Sequence, residues 1–150
     1  MPLQIVIGSY ATPCGGHNES ACGEGLTVLE VTADGQDEAS PHTLAHISTS
    51  APPPIANNSY LCWNPTLPRT LYSVEELGVS SGAAASLELS SSGKTWTGTG
   101  VAKGVGGVAC CHAAVEPASG LLLVADYMGP VRAFRTDRDT GALARQLPHW

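Results

Sequence analysis

Apolar and polar positions alternate with a period of two in short runs along most of the chain, the pattern of half-buried β-strands. No segment keeps an apolar i, i+3, i+4, i+7 stripe free of Gly or Pro, so helix is not expected. The pattern predicts eleven strands in three groups. The first is Gln4–Tyr10, Gly25–Val31 and Thr43–Ser48. The second is Ser59–Trp63, Thr70–Glu75, Ala83–Leu89 and Thr95–Gly100. The third is Cys111–Val115, Leu121–Tyr127, Val131–Arg135 and Ala142–Gln146. Ala33-Asp34-Gly35, Ser91-Ser92-Gly93-Lys94 and Asp139-Thr140-Gly141 have the chemistry of hairpin links between outer strands. Ser50-Ala51-Pro52-Pro53-Pro54 cannot be a central strand and reads as a connection between groups.

The groups repeat. Arg69-Thr70-Leu71-Tyr72-Ser73-Val74-Glu75-Glu76-Leu77 lines up with Gly120-Leu121-Leu122-Leu123-Val124-Ala125-Asp126-Tyr127-Met128, 51 residues later. Each copy follows a bend at proline (Asn64-Pro65, Glu116-Pro117) and precedes a second apolar run. Ile5-Val6-Ile7-Gly8-Ser9-Tyr10 fits the same core strand. Units of about 40 to 50 residues made of several short strands are the signature of propeller blades. The fold class expected is therefore all-β: blades of four antiparallel strands, with boundaries near 1–50, 51–103 and 104–150 in one partial domain. The 3+4+4 count leaves the first blade without its innermost strand. Propellers close with about four to eight blades, and just under three are present. The chain thus reads as a fragment of a longer protein, with assembly from several copies as the alternative. An unpartnered blade face points to self-association.

Composition narrows the function. Hydrophobic residues make up 43% and charged residues 13%, enough apolar surface for a core. A net charge of −6, with seven scattered Lys and Arg, argues against a nucleic-acid partner. It leaves room for an anionic small substrate if one or two arginines line a pocket. No stretch approaches the length of a membrane span, and Met1-Pro2-Leu3-Gln4-Ile5 lacks the basic start of a signal peptide. Five cysteines, two adjacent at Cys110 and Cys111, read as reduced thiols of a cytoplasmic protein. The sequons at Asn18-Glu19-Ser20 and Asn57-Asn58-Ser59 are then chance matches.

Gly8-Ser9-Tyr10, Asn58-Ser59-Tyr60-Leu61, Leu71-Tyr72-Ser73-Val74-Glu75, Cys111-His112-Ala113-Ala114-Val115-Glu116-Pro117 and Leu123-Val124-Ala125-Asp126-Tyr127 stand in a telling order and spacing. Together they resemble the first blades of the seven-bladed propeller lactonases, the cycloisomerase-type 6-phosphogluconolactonases. The resemblance covers nearly all of this chain but under half of such a protein. It implies hydrolysis of a sugar lactone ester by activated water, in carbohydrate metabolism of the pentose phosphate type. The implied partner is a small-molecule lactone, with no metal or organic cofactor. Carboxymuconate cycloisomerase activity on the same scaffold is one alternative, and a non-catalytic binding module is another. Cys110 stands where the family usually has proline, and Asp126-Tyr127 where it has Asn-Tyr. A polar insertion fills Ala11 to Glu24. The family's later blades carry further histidines, a glutamate and arginines that have no counterpart here.

Lactone opening needs a base, donors for the developing oxyanion and a cation for the substrate phosphate. His112 is the candidate base or substrate ligand, because imidazole suits proton transfer near neutral pH. It lies on the first strand after the bend, which in a propeller is innermost. The competing reading packs it between blades. Glu75 matches the family's acidic position at the end of a core strand and is the second catalytic candidate. Glu76 follows on the opposite face, so only one of the two can point inward. Asp126 and Tyr127 hold the equivalent strand end in the next blade and are candidates for substrate binding. Tyr127, like Tyr10, also reads as a packing residue with its hydroxyl tied to backbone.

Arg132 and Arg135 fall on an outer strand, Arg138 in a turn and Arg69 in a hairpin, so no phosphate clamp is evident. Cys14, His17 and Cys22 have no second ligand pair and read as a surface loop. Gly104-Val105-Gly106-Gly107 precedes no helix and is not a phosphate loop. Cys111 beside His112 faces the other way along a strand, which counts against a thiol nucleophile.

Overall fold

Each group of apolar runs builds one antiparallel sheet. The computed structural model describes residues 3–12, 23–33, 42–46, 55–77, 81–93 and 95–148. Strands β1 (Leu3–Gly8), β2 (Leu26–Ala33) and β3 (His42–His46) form the first sheet in that order. Next come β4 (Asn58–Trp63), β5 (Thr70–Glu75), β6 (Ser81–Leu89) and β7 (Trp96–Val108), again in chain order. The third sheet holds β8 (Cys110–Glu116), β9 (Leu121–Asp126), β10 (Val131–Thr136) and β11 (Leu143–Gln146). No helix occurs among the described residues. The Cys14, His17 and Cys22 loop, the Ser50–Pro54 connection and the sequon at Asn18 lie outside them.

The sheets stack face to face, and β5 shows why one unit cannot stand alone. It is buried on both faces, and its alternation sends side chains to different partners. Leu71 joins Leu26, Val28, Leu87, Leu89 and Trp96 between the first and second sheets. Tyr72 and Val74 join Ala113, Leu122, Val124, Phe134 and Leu143 between the second and third. Each such aliphatic or aromatic side chain, fully buried, contributes about 1.5–3 kcal/mol. Polar links fix the register across the second interface. The Tyr72 hydroxyl donates to the Gly141 carbonyl at 2.9 Å, and Ser86 Oγ accepts the Leu143 amide at 2.9 Å. Gly141 has φ of +72°, and a Cβ there would meet Thr70 Cγ2 at 2.6 Å, so this turn requires glycine. Gly8 lets β1 approach β4: a Cβ would fall 2.2 Å from the Asn58 carbonyl oxygen.

Three turns of the second and third sheets are closed by the same device. Asn64 Oδ1 accepts the amides of Thr66 and Leu67, at 2.9 and 3.2 Å. The Glu116 carboxylate accepts those of Ala118 and Ser119, and Asp137 Oδ1 those of Asp139 and Thr140. In each case a side chain supplies acceptors for amides that the bend removes from the ladder. These bonds hold the exposed carboxyls of Glu116 and Asp137 below their ordinary values, through Ser119 first in one and the Thr140 amide first in the other.

Several boundaries move from the predicted ones. The first strand stops at Gly8, not Tyr10, because the chain turns to pair Ser9 with Gly25 and Tyr10 bridges Asn57. The fourth strand of the second group runs thirteen residues, through the glycine-rich Gly104–Gly107 segment, because β6 continues to pair with it as far as Ser81 opposite Val108. Tyr127 leaves β9 for a turn.

Candidate functional site

β4 and β8 are the edge strands of their sheets and lie against each other, while β7 contacts β11 at the opposite edge. The sheets are thus fanned like blades, with β4 and β8 at a shared edge. Each of these two strands carries a bulge at the same place. In β4, Asn58 pairs with Glu75 and Tyr60 with Val74, leaving Ser59 as the extra residue. In β8, Cys110 pairs with Asp126 and His112 with Ala125, leaving Cys111 extra. A bulge bends its strand and re-aims the side chains beyond it. Tyr60 and His112 therefore hold equivalent positions on neighbouring blades. Their ring centroids are 4.4 Å apart with the planes tilted by 41°. His112 is exposed and Tyr60 is 36% exposed. Among the described residues no hydrogen bond reaches the imidazole nitrogens, so their edges are open.

The carboxylates at the strand ends are engaged elsewhere. Glu75 Oε1 accepts the Ala56 amide at 3.0 Å and the Asn57 amide at 3.5 Å, which ties the segment entering β4 to the end of β5. Glu76, on the other face, accepts the Tyr10 hydroxyl at 2.6 Å and links the first sheet to the second. That bond corrects the reading of Tyr10 as tied to backbone. Asp126 is buried; its Oδ1 accepts the Cys110 thiol at 3.0 Å, and its Oδ2 lies 3.6 Å from Arg132 Nε. Burial, and then the bond to Asp126, push the Cys110 thiol far above its ordinary range, so it is a proton-bearing donor and not a nucleophile.

Two further expectations change. Arg132 sits on β10, as expected of an outer strand, but its side chain is buried and runs back to the end of β9, where its Nε meets the Asp126 carboxylate. Tyr127 is 77% exposed, which removes it from any packing role; leaving the strand at Asp126 puts its ring in solvent. Ala109, just before β8, has φ of +62°, a conformation that costs a non-glycine residue about 1–2 kcal/mol. The strain sits directly ahead of the bulge that aims His112.

The structure thus brings His112 to Tyr60, Asp126 to Cys110 and Arg132, and Glu75 to backbone amides. Among the described residues no hydrogen bond joins His112 to Glu75 or Asp126. A cleft of about 180 Å³ lies at the other end of the strands, lined by Asn64, Thr66, Leu67, Pro117, Ser119 and Arg138 among others. It is the turn end and holds none of the four candidates. No cluster of three metal-ligating side chains occurs among the described residues. Tyr60, Cys110 and Arg132 were not singled out from sequence as site partners. A signal existed for Tyr60: it precedes His112 by 52 positions, the repeat spacing plus one.

Stacked antiparallel sheets of three and four strands, with their first strands gathered at one edge, define a β-propeller, here an incomplete one. The chain belongs to the family described as Lactonase, 7-bladed beta-propeller, whose profile matches residues 4–149. No curated protein matches the sequence. Among solved structures, it resembles a protein of Bacteroides fragilis provisionally assigned as a 6-phosphogluconolactonase, with a TM-score of 0.68 and 20% identity over 97% of this chain. A protein of Bacteroides uniformis with the same provisional assignment gives 0.66 and 23% over 95%. The periplasmic gluconolactonase of Pseudomonas aeruginosa gives 0.66 and 21% over 96%. The chain spans 35%, 36% and 38% of the lengths of these three proteins, respectively.

Proposed function

We propose that these residues form three blades of a lactonase that opens a sugar lactone ester, with 6-phosphogluconolactone as the substrate. The observation that carries this reading is the exposed imidazole of His112, without a hydrogen bond among the described residues, at the gathered edge of a lactonase-family propeller. Its ring nitrogens can take a proton from water as that water adds to the lactone carbonyl, and return it to the ring oxygen as the C–O bond breaks. Glu75 holds the entry to β4 by its amide bonds and keeps the β4 edge in register beside His112. Asp126 shapes the neighbouring strand end from within, and Tyr127 stands in solvent where a bound sugar could meet its ring and hydroxyl. The free thiols Cys62, Cys110 and Cys111 support a reducing, cytoplasmic location.

A second reading, a propeller module that binds without catalysis, is favoured by Glu75 and Asp126 already being engaged within the protein. Lactone hydrolysis, corrected for spontaneous opening at each pH, separates the two. The 150-residue polypeptide should open 6-phosphogluconolactone no faster than background, since it spans only 35%, 36% and 38% of the lengths of the three propellers it resembles. If the transcript runs past Trp150, its longer product should turn over the lactone and lose about 100-fold or more on His112→Ala. A longer product without turnover, or one indifferent to His112, would favour the binding module. Turnover by the 150 residues alone, abolished by His112→Ala, would make three blades a sufficient enzyme.

A further inference from the structure

We propose that Tyr60 is the positioning residue for His112, so that a tilted ring-to-ring contact does here what a hydrogen-bonded carboxylate does for many general bases. The proposal rests on the reading of His112 as the base. It starts from the register. Tyr60 shares its face of β4 with Cys62, and Cys62 packs against the cluster between the second and third sheets. That face carries the phenol ring toward the third sheet. On β8 the extra residue Cys111 turns His112 to meet it, and the rings settle 4.4 Å apart.

The chemistry of the contact suits a base. An exposed imidazole on an unconstrained side chain spreads over several rotamers. A triad-type base is held in place by a carboxylate on one nitrogen, which leaves a single nitrogen for the reaction. The carboxylates that could do this are committed: Glu75 to the amides of Ala56 and Asn57, Asp126 to Cys110 and Arg132. The tilted ring contact restrains the imidazole without a hydrogen bond, and among the described residues neither ring nitrogen is occupied by one. The Tyr60 phenol gains no hydrogen bond from the arrangement among the described residues, so the ring is what the site uses.

Two readouts test this without any lactone: the acylation rate of His112 by diethyl pyrocarbonate, followed by peptide mass spectrometry, and the ring-current shift of its imidazole protons, at concentrations below self-association. Tyr60→Phe should match the native chain in both. Tyr60→Leu should lose the ring-current shift and change the acylation rate several-fold. If Tyr60→Leu leaves both unchanged, the proposal is overturned. Should that variant fail to fold, His112→Gln gives the reciprocal measurement: the Tyr60 ring protons must move, and unmoved resonances overturn the proposal equally. Absence of the ring-current signature in a longer product that still turns over lactone sinks this proposal alone. An intact signature in a longer product without turnover sinks the lactonase reading alone.

Discussion

Cys110, Asp126 and Arg132 form a buried charged cluster at the edge of the third sheet. An uncompensated buried charge is costly, whereas a well-packed apolar replacement of the whole pair need not be. Arg132→Met should therefore destabilise the protein by about 3–5 kcal/mol, and Asp126→Leu combined with Arg132→Met by clearly less than the sum of the single changes. Urea unfolding of the two single variants and the double variant checks this. The thiol adds a pH dependence. Its folded value is raised above the ordinary 9.0, so the folded state holds the proton more tightly than the unfolded chain does. The contribution is fully present below about pH 9 and is lost as pH rises through the folded value. Stability should fall above pH 9, and less steeply in Cys110→Ser, which keeps a donor to Asp126 but titrates far higher. Unfolding midpoints between pH 7 and about 11 measure the difference. Sequence did not reveal this cluster, because the strand spacing places Arg132 outward and nothing local shows that its long side chain turns back to Asp126.

At the scale of elements, strands and turns were legible because their causes are local. Alternation marks the strands, and the proline bends after Asn64 and Glu116 and the Asp139-Thr140-Gly141 link mark the turns. Asn64 Oδ1 accepts two amides and the Thr66 hydroxyl, and its amide group donates to the Tyr72 hydroxyl at 3.1 Å. Asn64→Ala should cost about 1–3 kcal/mol, because it strands buried partners without replacing them. Asn64→Asp keeps the acceptors and should cost less; thermal unfolding of the pair decides. The acidic turns behave differently. With the Glu116 and Asp137 carboxyls lowered, their support is present above the ordinary values of 4.5 and 3.8 and disappears as pH falls through the folded ones. The bulges at Ser59 and Cys111 were not legible. A strand read by period two looks uninterrupted there, and only pairing with β5 and β9 exposes the extra residue.

For the whole molecule, the outer faces of the end sheets dominate. Leu3, Ile5 and Ile7 are 67%, 41% and 43% exposed on one side; Leu123 and Val131 are 36% and 64% exposed on the third sheet. Apolar sheet faces of this kind drive association. The 150-residue polypeptide should therefore self-associate at micromolar concentration, and Ile5→Lys combined with Val131→Lys should shift it toward monomer in sedimentation velocity. Variants that sediment like the native chain would place the association elsewhere. The repeat and its alternation determined by themselves that the chain is all-β and comes in blade-sized units, and five short motifs in order carried the resemblance to the propeller lactonases. Those properties depend on residue spacing along the chain, which sequence records directly. Which groups meet at the strand ends was decided only in three dimensions. Tyr60 against His112, Asp126 against Arg132 and Glu75 against the Ala56 amide are each set by a bulge, a turned-back side chain or a chain entry. Such contacts turn on an unpaired residue, on the direction a long side chain takes or on where the chain enters a strand, and their energies depend on the packed structure and not on the local pattern.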